Sequence, residues 1–150
     1  LFMNFMKEMG AFIEPNKRHP VLGKHVAKLE EAKNILADLT MKFASVGMQD
    51  ITFPVLNASA YLESFGDALA SFVLLKQALL ANEKLTKIFA DNNASTLTDR
   101  KKLVAENPEA KFYHGKIQSA QFYASYILPR VKSNAEAIKS NDKSPLDVEF

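Results

Sequence analysis

The chain has no cysteine anywhere in its 150 residues. That excludes disulfides, thiolate nucleophiles and cysteine-ligated metals, and it fits a reducing compartment, so a cytoplasmic location is expected. Glycine is scarce and scattered: Gly10, Gly23, Gly47, Gly66 and Gly115 stand alone. No G-x-G-x-x-G or G-x-x-x-x-G-K-[ST] loop can be built from them, so no phosphate cradle is encoded. Charge of one sign is lacking too. The formal net charge is +2, with basic residues dispersed among acidic ones, where a nucleic-acid surface needs Lys and Arg gathered on one face.

Long apolar runs are absent as well. The longest, Ala68 to Leu75, is interrupted by Ser71 and followed by Lys76, short of the roughly 20 residues a transmembrane helix needs. The opening "LFMNFMKEMG" mixes acid and base and does not read as a secretion signal. Its first residue is Leu1, as expected of a processed product or a piece of something larger.

Chemistry-bearing clusters are also missing. His19, His25 and His114 form no H-x-x-x-H or E-x-x-H pair, and the long apolar stripes carry no carboxylate for a bundle metal site. Serines occur without a G-x-S-x-G elbow.

What the sequence does have is helical periodicity. Phe2, Phe5, Met6, Met9, Phe12 and Ile13 share one face of a first helix that Pro15 should end. A second helix is expected to start at Pro20 and to carry Leu22, Val26, Leu29, Leu36, Leu39 and Phe43. Gly47 should supply its left-handed cap. From Val55 to Phe89 the chain is apolar on most of a helical circumference, which predicts a central, mostly buried helix. "ADNNAST" breaks it, because these side chains compete for backbone hydrogen bonds. A short helix is expected over Asp99–Glu106. Asn107 and Pro108 then start a helix running to about Ser140, with a kink near Tyr126 imposed by Pro129. A frayed tail is expected over 141–150.

No window alternates with the period of a strand. The expected fold is therefore one all-α domain, 1–150: an up-and-down antiparallel bundle of about four main helices.

The last long helix carries two strips. Tyr113, Ile117, Ala120, Ala124, Ile127, Leu128, Val131, Ala135 and Ile138 form an inward seam. Phe112, Ser119, Tyr123 and Tyr126, widened by Phe122, form a second. Aromatic strips at this spacing are usually core or interface. The other reading is a pocket for a flat or acyl ligand among Tyr113, Phe122, Tyr123 and Tyr126. Lys116 and Arg130 could meet an anion, although exposure to solvent is the default for such residues.

Two stretches carry a resemblance. "FYHGKIQSAQFYASYILP" (112–129) resembles the motif F-Y-x-G-K-[LI]-x-[TS]-A-x-F-[YF], ending in Leu-Pro, near the C-terminus of certain acyl-CoA dehydrogenase-like proteins. "ASAYLESFGDALASFVLLKQAL" (58–79) resembles the Y-L-x-x-F-G segment of the same region, and "LFMNFMKEMGAFI" is similar to the helix that opens it. The two motifs cover about a quarter of the chain. The matching positions are Tyr61, Phe65, Gly66, Phe112, Tyr113, Gly115, Lys116 and Phe122.

The resemblance implies an appended helical domain of flavoenzymes that oxidise acyl-CoA to enoyl-CoA with FAD and a catalytic glutamate. It implies a partner, the parent's catalytic body, and a homo-oligomer. Acyl-CoA and FAD would belong to the parent, and no catalytic, cofactor-binding or metal residue is carried over to this chain. The matching residues would act structurally, with Gly115 and Ser119 admitting another helix and Tyr113 and Phe122 filling the gap beside it. A stand-alone interaction or ligand-binding bundle without an enzyme parent is the alternative.

Overall fold

A computed structural model describes residues 2–148. It is all-helical, with no strand among the described residues. The elements are α1 (Phe2–Asn16), α2 (Gly23–Gly47), α3 (Thr52–Asp91), α4 (Leu97–Glu106), α5 (Pro108–Phe122), a π turn (Tyr123–Ile127), α6 (Arg130–Ser140) and a 3₁₀ turn (Ser144–Leu146). Counting α5, the π turn and α6 as one bent rod, the long elements are the four expected, with α4 as a short extra helix.

Cross-contacts fix the directions. Thr40 meets Tyr61 while Gly47 lies near Pro54, so α2 and α3 run antiparallel. Lys116 reaches Gln77 and Asn134 reaches Ser64, so the α5–α6 rod descends along α3.

The core is built from the predicted faces. Met9, Ile13, Leu29, Leu36 and Leu75 are fully buried, joined by Ile117, Ala120, Ala124, Leu128 and Val131 from the bent rod. Phe5 and Phe12 meet Phe72 edge-on at 6.1 and 5.3 Å between centroids, a favoured aromatic geometry. A second cluster joins Leu39, Phe53, Ala135 and Ile138 at the other end of the bundle.

Several helix ends differ from expectation. Pro15 does not stop α1, which continues one residue to Asn16, where the side-chain amide donates to Phe12 O at 2.7 Å. A proline this close to the end disturbs few helical bonds. Pro20 lies in a turn ahead of α2, and His19 Nδ1 accepts from the Val21 and Leu22 amides at 3.2 and 3.1 Å. Gly23 is needed here: a Cβ would sit 2.6 Å from Lys17 O. Gly47 has no positive φ and remains helical, so the left-handed cap assigned to it is not formed. The left-handed positions are Asn93 and Asn141.

The short helix starts two residues before the expected Asp99, at Leu97. Thr96 caps it: its hydroxyl accepts from Asp99 N and the Asp99 carboxylate accepts from Thr96 N, a reciprocal capping box. Asn107 and Pro108 start α5 as expected, with the Asn107 side chain accepting from Glu109 N and Ala110 N.

The kink falls where Pro129 requires it. Pro129 has no N–H and its ring crowds the carbonyl four residues back. The preceding turn widens, and Leu128 N bonds Tyr123 O, five residues earlier. Within the expected tail, residues 144–146 form the 3₁₀ turn and Lys143 pairs with Asp50 at 2.6 Å. Residues 149 and 150 lie outside the described range.

By length and composition α3 could cross a membrane, which differs from what the short uninterrupted apolar run of the sequence implied, because the 40-residue helix joins several such runs. Part of its apolar surface is used inside the bundle, where α3 packs against α2, α5 and α6.

Candidate functional site

The positions matching the family motif separate into an inner and an outer group. Tyr61 is half-buried between helices. Its hydroxyl lies 2.6 Å from Thr40 Oγ1 and its ring 4.6 Å from Phe43. Phe65 packs on Phe5 at 5.0 Å. Tyr113 borders the core, and its phenol is raised above its usual range by loss of solvent and then by Glu109.

The outer group faces solvent. Phe112 and Phe122 are 58% and 56% exposed, and Phe122 stacks on the exposed Tyr126 at 5.1 Å. Lys116 lies over the Phe112 ring and donates to Gln77 Oε1 at 3.4 Å. The close approach expected at Gly115 is not made by this chain, because a Cβ there would meet no atom within 4 Å. The same holds at Gly66.

These positions form two rows. On α5 and the π turn, Phe112, Gly115, Ser119, Phe122 and Tyr126 recur at steps of three and four. On α3, Leu62, Gly66, Leu69 and Val73 do the same, with Leu62 70%, Leu69 40% and Val73 43% exposed. Such spacing is the apolar seam a helix presents to a partner helix. The burial expected around most of α3 is therefore not completed within the chain. Nor do Tyr113, Phe122, Tyr123 and Tyr126 converge on a pocket: Tyr113 points to the core, Tyr123 to Asp67, and Phe122 and Tyr126 outward.

Sequence reading missed Asp67. Its side chain is 7% exposed and is gripped by Arg130, Nη2 to Oδ1 at 2.7 Å and Nε to Oδ2 at 3.0 Å. Tyr123 donates to the same carboxylate at 3.2 Å. Burial, then the Asp67 charge, pushes the Tyr123 phenol up, while Asp67 raises Arg130 further above its usual range. Alongside, Asn134 Nδ2 donates to Ser64 Oγ at 3.2 Å. This polar strip ties α3 across the π turn to α6. Both Asp67 oxygens are engaged, by Arg130 Nε and Nη2 and by the Tyr123 hydroxyl, which suits holding a bend rather than transferring a proton. Arg130 is thereby committed to the protein and is not held ready for an anionic ligand.

His25 is buried, with Nδ1 unpartnered, and burial aided by Lys24 and Lys28 holds it below the usual imidazole range. No group of three His, Asp or Glu able to hold a metal exists among the described residues.

Residues 5–149 match the family model described as acetyl-CoA dehydrogenase C-terminal like. Two butyryl-CoA dehydrogenases of Syntrophomonas wolfei subsp. wolfei (strain DSM 2245B / Goettingen) are similar. One is 26% identical over 149 residues, covering 97% of this chain and 21% of the relative. The other is 24% identical over 132 residues, covering 88% of this chain and 19% of the relative. The chain thus spans about a fifth of the length of these relatives. With nearly its whole described length matched, the chain belongs to the acetyl-CoA dehydrogenase C-terminal-like family, the C-terminal domains of acyl-CoA dehydrogenase-like proteins.

Proposed function

We propose that this chain is the non-catalytic helical domain of a cytoplasmic acyl-CoA dehydrogenase, and that it packs on the catalytic body through its two outward seams. The parent would hold the FAD and oxidise acyl-CoA to enoyl-CoA. The chain would supply neither catalytic base nor flavin site. Its work would be to fix the body's shape or subunit contacts beside the substrate entrance.

One observation carries this reading: the rows Leu62–Gly66–Leu69–Val73 and Phe112–Gly115–Ser119–Phe122–Tyr126 are largely apolar, spaced for helix contact and uncovered. Exposed apolar area of this kind marks an interaction surface. The glycine in each row leaves room for a partner backbone to approach.

No cysteine occurs in these 150 residues, so an introduced thiol can be followed by mass analysis of its own labelled peptide. Ser119→Cys places one thiol in the outer row. A maleimide should react quickly with the chain alone and markedly more slowly with the whole enzyme. Equal rates would overturn the docking. A reading frame upstream of Leu1 that encodes no acyl-CoA dehydrogenase body would overturn the parentage.

A further inference from the structure

Away from both seams, α4 stands apart from the core. It has no buried residue, and its Leu97 is 76% exposed. Leu103 and Val104 reach only half-burial. Its capping box supports the short helix, and of its apolar side chains Val104 reaches the edge of the core while Leu97 stays uncovered. Between α4, the last third of α3 and the first half of α5 lies a cleft of about 720 Å³, within the size range of small-molecule sites. Leu85, Phe89 and Ile117 form an apolar floor and Val104 a wall.

The charged side chains that line the cleft are Arg100 and Lys101, and no Asp or Glu lines it. Neither cation has an ion-pair partner among the described residues. Arg100 is held in place without being neutralised. Its Nε donates to Ala94 O at 3.1 Å, and its guanidinium covers the face of Phe89 at 5.3 Å. The terminal nitrogens keep their donors. Because Arg100 covers a face of Phe89 and the rest of the floor is Leu85 and Ile117, the floor favours an aliphatic chain over a flat ring.

From this geometry we propose that the α3–α4–α5 cleft binds a single-chain aliphatic carboxylate. The chain lies on Leu85, Phe89 and Ile117, and the carboxylate meets Arg100 and Lys101. Planar carboxylates match the guanidinium fork. The proposal does not depend on the docking seams, which lie elsewhere on α3 and α5.

Decanoate and the uncharged decanol serve as probes in calorimetric titrations of the 150-residue chain. Decanoate should bind saturably at one site and decanol about tenfold more weakly, as expected for loss of a charge-assisted contact. Arg100→Gln should weaken decanoate by about the same factor and leave decanol unchanged. Val104→Trp, checked for folding by circular dichroism, should weaken binding of both by narrowing the cleft at its wall. Methyl resonances of Leu85 and Val104 should shift on titration. Absence of saturable decanoate binding would overturn the proposal. So would equal affinity for decanol, unaltered binding by folded Val104→Trp, or shifts confined to Leu62, Leu69 and Val73.

Discussion

Two arginines sit beside the same helix and do opposite things. Arg130 grips Asp67, a buried carboxylate on α3, and Tyr123 completes the grip across the π turn. Arg100 faces the far end of α3, bonds one neutral carbonyl and borders an open cleft. Around Asp67 one side of the helix is covered by the π turn and α6, while the seam on its other side stays open. Near Phe89 it is flanked by a helix with no buried residue. One end of the bundle is closed by charge pairing and the other is held open beside unpaired charge.

Breaking the closed end should have the larger effect. Arg130→Ala leaves a buried carboxylate without its cation. The expected loss is about 2–3 kcal/mol, below that of a fully buried pair because the Arg130 side chain is 59% exposed. The midpoint of urea unfolding measures it. Arg100→Ala removes no ion pair, only one hydrogen bond and a cation–π contact, and should cost about 1 kcal/mol. Equal losses for the two would erase the distinction between the ends.

The open end should respond locally. Thr96→Ala removes the cap that starts α4 and should destabilise that helix by about 1 kcal/mol. Since α4 has no fully buried residue, the change should appear as faster amide exchange over 97–106, with the global unfolding midpoint nearly unmoved. A matching fall in the global midpoint would mean that α4 is part of the cooperative core.

The two ends also differ in how far sequence reveals them. Helical faces, the Asn107–Pro108 start and the bend before Pro129 are written in local spacing, where steric rules act over four or five residues. The seams were legible as strips, but their periodicity does not say what lies opposite. Gly115 was read as a contact point, and the contact is absent from this chain. Asp67 was passed over because its partners lie 56 and 63 residues away, so no local pattern marks it. Its one signal is an acid flanked by Gly66 and Ala68 at the start of the most apolar stretch of α3, where a buried charge is stable only when paired. The cleft left still less trace, because an unfilled space is set by how α4 stands away from α3 and no residue type encodes it.

Acid should weaken the bundle through His25. Its folded-state pKa is depressed by burial, with Lys24 and Lys28 adding to the effect. The unfolded chain therefore takes up a proton first as pH falls through about 6.5, while the folded chain resists. The stability this group contributes is present above that pH and is lost on further acidification toward the folded value. His25→Leu should flatten the pH dependence of the thermal midpoint between neutrality and about pH 5. An unchanged slope would mean that the folded protein accepts the proton freely.

The smallest effect belongs to the surface pair behind α3. Asp50 is held down to about 2 by Lys143 first and Thr52 next, against a usual 3.8. The folded value is depressed, so this contribution is present above the usual carboxylate value and is lost as pH falls toward the folded one. Lys143→Ala should raise the Asp50 pKa part of the way back, since the Thr52 amide and hydroxyl still donate to it. NMR titration of the carboxyl carbon reads the shift directly. The thermal midpoint near neutral pH should scarcely change, because exposed ion pairs contribute little. A full return to the unperturbed value would assign the whole shift to Lys143. No change would mean that Thr52 alone holds the carboxylate, leaving residues 141–148 untied from the start of α3.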